Sequence, residues 1–162
     1  MVAAVMVTGP NANADRVTFT DARGDTESRG LDIISGTVRN KDNAVVVLVQ
    51  FARDRRATVA ILTKTRDEPV IAIVSVHRRS GPDTTFVQSR HAKIPCPGVS
   101  SDWNRSAATL KLRMPATCLN QGNYGAIKSF VLIETISEGA DIDYAPESRY
   151  GRLRYTDWIS RG

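Results

Sequence analysis

The sequence predicts an all-β protein, an antiparallel two-sheet β-sandwich of the jelly-roll or immunoglobulin-like sort, with a closed β-barrel as the alternative. Three observations predict it. Apolar and β-branched residues alternate with polar ones over short windows, the pattern of half-buried strands. Turn-forming residues separate those windows regularly, and helical periodicity is nearly absent. Seven or eight such strands with one dominant inner face match two packed sheets.

The elements follow in chain order. Residues 17–20 open the pattern, and residues 31–39 resume it after a polar loop. Asn40-Lys41-Asp42-Asn43 is a hairpin turn, because Asn and Asp tolerate left-handed backbone and bond their own main chain. Residues 44–52 make the strongest strand. Val45, Val47, Val49 and Phe51 fall on its core face and Val46, Leu48 and Gln50 on the other. Both faces are rather apolar, which suits a central strand. Further strands are expected over 58–63, 70–77, 85–91, 108–114 and 126–136, bounded by turn signals such as those at 67–69 and 80–83. Residues 115–120 read as one short helical turn, with Pro115 at its start and Cys118 inside it.

At 162 residues the chain has the length of one ordinary domain and can bury a substantial core. Residues 15–162 are assigned to a single sandwich domain. Residues 1–14 read as a signal-peptide remnant or a disordered tail: a short apolar stretch, a breaker and Ala12-Asn13-Ala14, with cleavage expected after Ala14. No apolar run approaches the roughly 20 residues that span a bilayer as a helix, so no membrane-spanning segment is expected. The net charge of +5 would favour polyanionic partners, but Arg and Lys are spread along the whole chain. That distribution fits a solvated basic surface, and no nucleic-acid partner is expected.

Cys96 and Cys118 are an even pair, which in an exported chain is more often bridged than free. Two buried thiols in a cytosolic protein are the alternative. The cysteine spacing is far from the short knuckle of a zinc site, even with His77 and His91 added. An exported, disulfide-bearing protein places the chain outside the cell or in the cell envelope.

Asp21-Ala22-Arg23-Gly24-Asp25 is the most suggestive local feature, because closely spaced carboxylates in a Gly-containing loop can wrap a hard cation. Calcium takes six to eight oxygen ligands. Asp15, Glu27 and Asp32 lie near in sequence, and Asp141 and Asp143 would approach if the last part of the chain returned beside the first strand. A solvated acidic turn is the plainer reading. Arg23-Gly24-Asp25 also spells an integrin-adhesion tripeptide, a match with almost no specificity.

Trp103 lies in a polar stretch inside the cysteine-bounded segment, where an exposed indole would stack on a sugar ring and a buried one would cover the end of the core. Tyr144, Tyr150, Tyr155 and Trp158, interleaved with Arg149, Arg152 and Arg154, make an aromatic and basic C-terminal quarter. It is either a stacking surface or the anchor of a terminal strand. There is no G-x-S-x-G elbow, phosphate-cradling glycine loop, H-E-x-x-H or EF-hand pattern, so no catalytic residue is assigned. His77 and His91 end adjacent expected strands and would pair across a hairpin, but no nucleophile in a recognisable setting accompanies them. Asn104-Arg105-Ser106 is formally a glycosylation sequon.

Taken together, Asp21 to Asp25, Leu31-Asp32-Ile33-Ile34, the Phe51-Ala52-Arg53-Asp54 strand end, Cys96 and Met114-Pro115-Ala116-Thr117-Cys118-Leu119 form a pattern. Asp143-Tyr144-Ala145-Pro146 and Trp158-Ile159-Ser160-Arg161-Gly162 complete it. It resembles a group of small uncharacterised secreted proteins of actinobacteria over nearly the whole mature chain. The D-x-x-G-D strand-loop is also similar to calcium-containing DOMON-like sandwiches and carbohydrate-binding modules. That resemblance implies an exported sandwich with a Cys96–Cys118 bridge and calcium on Asp21 and Asp25. Few aromatics fall on an expected sheet face, a departure from sugar-binding modules.

The expected function is accordingly a non-enzymatic extracellular or cell-envelope binding module, with glycan or another envelope polymer as ligand. Asp21, Asp25, Asp141 and Asp143 are its candidate metal ligands, and Trp103, Tyr150, Tyr155 and Trp158 its candidate binding residues. A structural or assembly subunit, such as a surface-layer or virion-decorating protein capable of self-assembly, is the alternative.

Overall fold

Alternation of buried and exposed side chains over windows of five to nine residues produces strands, and they account for nearly all the regular structure. The computed structural model describes residues 15–25, 30–136, 140–147 and 152–162, the side chains at 135, 136, 140 and 141 excepted. The strands are β1 (Arg16–Thr20), β2 (Ile33–Lys41), β3 (Ala44–Phe51), β4 (Ala57–Lys64), β5 (Ile71–His77), β6 (Thr84–Ser89), β7 (Ala92–Ile94), β8 (Ser100–Asn104), β9 (Thr109–Pro115), β10 (Lys128–Ile136) and β11 (Ala140–Ala145). Two 3₁₀ turns, Ala116–Cys118 and Asn120–Gly122, follow β9 where a short helical turn is expected. The expectation for residues 1–14 lies outside the described residues.

Two antiparallel sheets form, in the orders β1-β2-β3-β9-β8 and β11-β10-β4-β5-β6-β7, and they do not close into a barrel. The two-sheet sandwich therefore holds and the barrel alternative does not. Each long meander fills one sheet, and β9 and β10 then insert beside β3 and β4, so the strongest central strands gain partners on both sides. Val45, Val47, Val49 and Phe51 are buried as the alternation requires, in one cluster with Val59, Ile61, Ile73, Val131 and Ile133. The 40–43 turn is tighter than its four residues: Lys41 pairs with Ala44, leaving Asp42 and Asn43 at the tip.

Three strands escape the sequence pattern. Residues 85–91 do not form one strand, because Arg90 and His91 adopt positive φ (49° and 67°) and turn the chain back into β7. His91 therefore sits at the far end of the β5–β6 hairpin from His77, and the two do not pair. Trp103 is not in a loop. It lies on β8, an edge strand with one apolar residue whose other inward position is Ser101. On β11 the usual polarity is inverted: Asp143 and Ala145 are buried, while Ile142 faces solvent at 51% exposure. Inward charge is a recognised device on edge strands.

Two features position the rest. Gly36 lies opposite Phe19, whose ring fills the space of the missing side chain; a Cβ there would be 2.3 Å from Phe19 Cζ. Cys96 and Cys118 form a disulfide with a Cα separation of 5.4 Å, closing a segment that contains β8 and β9.

Candidate functional site

The acidic site is assembled from both sheets. After β1 ends at Thr20, the Asp21 amide donates to the Ile34 carbonyl (3.1 Å), which docks the 21–25 loop on the start of β2. There the register with β3 slips between Ile33 and Ser35, a β-bulge. Bulges re-aim backbone groups. The freed Ile33 N–H donates to Asp143 Oδ2 at 2.7 Å, and the Tyr144 N–H donates to Asp143 Oδ1 at 2.8 Å. Asp143 thus reaches across the sandwich, and Asp21, Asp25 and Asp143 each offer a carboxylate oxygen within 4.8 Å of the others. Strand β11 pairs with β10 rather than lying beside β1, so Asp143 approaches from the opposite sheet. The side chain of Asp141 lies outside the described residues.

Negative charge accumulates here, from Asp21, Asp25, Asp143 and Glu147. Burial pushes the Asp21 carboxyl up from 3.8 to about 7, with the carboxylates of Asp143, Asp25 and Glu147 raising it further against the Ala22 N–H. Burial likewise raises Asp143 from 3.8 to about 6; the Ile33 and Tyr144 amides oppose this and the Asp25 and Asp32 carboxylates add to it. Glu147 is raised too, by burial and by Asp25. Asp32 is buried, and its Oδ2 accepts the Gly24 N–H at 3.0 Å. Among the described residues, buried Asp21 Oδ2 and Asp32 Oδ1 have no hydrogen-bond partner. Unpartnered buried carboxylate oxygens are costly, and an all-oxygen anionic set suits a hard cation such as calcium. Asp32 and Glu147 join by the fold; the nearness of Asp32 to the 21–25 loop was their only sequence signal.

The C-terminal aromatics gather elsewhere. The Thr156 N–H donates to the Ser129 carbonyl (2.8 Å) and the Ser129 N–H to Thr156 Oγ1 (3.0 Å), which lays the segment along β10. Tyr155 packs edge-on against Phe130, and Lys128 Nζ lies 5.1 Å from the ring centres of both Tyr155 and Trp158. Arg66 Cζ sits 4.9 Å from the Trp158 ring, which is 38% exposed. The result is a partly open aromatic surface edged with cations, about 0.5–1 kcal/mol per exposed cation–π contact. Tyr150 lies outside the described residues.

Trp103 turns inward. Its indole stacks between Phe51 and His77, at 5.6 and 4.1 Å between ring centres, and its N–H donates to Ser75 Oγ at 2.9 Å. His77 is buried, with Nε2 3.0 Å from Asp54 and Nδ1 3.0 Å from Asp83. Beside His77 and Asp54 lies a cavity of about 360 Å³ whose rim carries Arg55, Arg56, Arg78, Arg79 and Arg105. Sequence reading gives His77 no role beyond ending a strand; its carboxylates come from two other loops.

No protein-family model matches the chain, and no curated protein matches it. No helix among the described residues is long and apolar enough to cross a membrane.

Proposed function

We propose that the protein is a non-enzymatic extracellular or cell-envelope binding module, stabilised by calcium and taking a glycan or another envelope polymer as ligand. The observation that carries this reading is the convergence of Asp21, Asp25 and Asp143 from two sheets within 4.8 Å, in partly buried surroundings. A divalent cation there neutralises carboxylates that otherwise repel, and joins the 21–25 loop to β11. The Cys96–Cys118 disulfide supports an oxidising compartment. Tyr155 and Trp158 with Lys128 supply a surface on which a sugar ring can stack.

The test is a thermal melt of the protein with calcium and with excess EDTA, followed by a panel of soluble envelope glycans. Calcium at about a hundred times its Kd adds about 2.7 kcal/mol. For a chain of this size that is a rise in Tm of roughly 5–10 °C. An unchanged Tm rejects the metal, and a panel without effect rejects the glycan.

A second reading, a structural or assembly subunit, is favoured by one observation. The outer face of the six-stranded sheet carries Leu62, Leu132, Ala60, Val74 and Phe86 in adjacent register, beside exposed Ile142. Sedimentation of the wild type and I142E tests it: a concentration-dependent assembly lost in the variant supports assembly, and a monomer throughout rejects it.

A further inference from the structure

The outer face of the five-stranded sheet carries an unbalanced set of cations fixed by strand register. Arg16 stands opposite Arg39, Arg39 opposite Val46, and Val46 opposite Arg113, so three arginines share one row across four strands. In the next row Thr37, Leu48 and Lys111 are neighbours, and beyond the other side Lys41 pairs with Ala44. These side chains bound a groove of about 540 Å³. Its walls are Arg39 and Lys41 on β2 and Lys111 and Arg113 on β9; its floor is Ala44, Val46 and Leu48 of β3. Leu48 is 47% exposed there.

No acidic side chain lines the groove. Asp102 stands opposite Lys111 on β8 but makes no ion pair with it, and among the described residues none of the four wall cations has an ion pair. Like charges directly opposite across strands destabilise a sheet. Arg16 facing Arg39, with Arg113 two strands further, is therefore a cost to folding that a bound anion would offset.

We propose that this groove binds a linear, carboxylate-bearing polysaccharide, an inference that rests on the glycan-binding reading and gives it a second surface and a ligand class. Facing β2 and β9 walls are about 10 Å apart and successive cations on one strand about 7 Å apart. An extended chain lying between them meets paired charges along its length. Arginine takes carboxylate through two parallel N–H donors. The apolar floor accepts the flat C–H face of a sugar ring, which a polyol-phosphate chain lacks. Single-stranded nucleic acid is disfavoured because no row of this face offers an aromatic ring for base stacking. A second copy of the same face is disfavoured by its charge.

Titration calorimetry of the full chain with a short hyaluronan oligosaccharide tests the proposal, beside the same oligosaccharide with its carboxyls reduced and a DNA duplex. Wild type binds the acidic oligosaccharide, and binds the reduced one at least about tenfold more weakly. R39Q/R113Q loses a similar factor, and R55Q/R79Q, which removes the same charge from the arginine-rimmed cavity, loses much less. If R39Q/R113Q does not fold, K41Q/K111Q carries the same expectation. Wild-type affinity in the groove variants overturns the proposal. So does an equal loss in R55Q/R79Q, or tighter binding of the duplex. Loss in Y155A/W158A with the groove variants unaffected also overturns the groove, but leaves the binding-module reading standing. No binding of either oligosaccharide, together with no effect from the glycan panel, removes both.

Discussion

Asp143 of the six-stranded sheet accepts the backbone N–H of Ile33 in the five-stranded sheet at 2.7 Å, so one carboxylate both closes the sandwich corner and faces the acidic site. The two roles separate by substitution. D143A orphans a buried amide, which costs about 1–3 kcal/mol. D143N keeps an oxygen acceptor for the Ile33 N–H, and loses the charge and the acceptor that faces the Tyr144 N–H. In EDTA, D143N is expected to melt near or above the wild type and D143A below it, while both lose the calcium-dependent rise. A calcium shift retained in full by D143N would remove Asp143 from the metal site.

The raised carboxyls set a pH dependence whose sign follows from linkage. Asp21 and Asp143 hold their protons to about 7 and about 6 in the folded chain, against 3.8 in their ordinary state. Between those limits the folded state keeps protons that the unfolded state has released, so stability falls as pH rises through the window. Melts in EDTA from about pH 4.5 to about pH 7.5 should show Tm descending once the other carboxylates have titrated. D21N should flatten the descent. With calcium present the trend reverses, because protons and the metal compete for the same oxygens.

Much of this fold is legible in the sequence, and the exceptions have a common physical cause. Strands β3, β4 and β9 obey the alternation of a half-buried sheet, so Val45, Val47, Val49 and Phe51 announce their burial. Strands β7, β8 and β11 are short or edge elements held by pairing more than by apolar content, and Ser100 to Asn104 has only Trp103 to mark it. On β11 the pattern points the wrong way, since Ile142 is exposed and Asp143 buried. Proximity of Asp21 and Asp25 is a local fact that sequence can carry. The approach of Asp32 and Glu147, and of Asp54 and Asp83 to His77, depends on which loops the sandwich gathers at each end. The cationic groove was present in the alternation of Arg39 with Lys41 and of Lys111 with Arg113, but only the β3 register reveals that both pairs border one floor.

Gly36 links the core to the acidic site. Because the Phe19 ring occupies the space of a Cβ at Gly36, G36A forces the ring away and loosens β1 from β2. Overpacking of this kind costs about 1–3 kcal/mol. Asp21 follows β1 directly, so G36A should also weaken calcium binding although it lies on no ligand. Calorimetry of calcium with G36A checks this: a lower Tm with unchanged metal affinity would mean that the 21–25 loop is held by the Ile34 carbonyl independently of β1.

His77 joins two loops and an edge strand. Its ring bonds Asp54 after β3 and Asp83 before β6, and stacks on Trp103 of β8, so both sheets meet at one imidazole. H77F keeps an aromatic ring against Trp103 but removes both ring nitrogens. Asp54 and Asp83 then face an apolar edge, although their side chains remain 30% and 23% exposed and water can relieve part of the loss. The cost should be about 1–3 kcal/mol, that of buried polar groups losing their hydrogen-bond partner. H77A should lose more, because an unfilled ring-sized space adds a cavity penalty. Urea denaturation followed by circular dichroism orders the three proteins. If H77F matches the wild type, the two carboxylate bonds add no net stability and the stack alone holds this end of the sandwich; if H77F matches H77A, the bonds hold it and the stack is incidental.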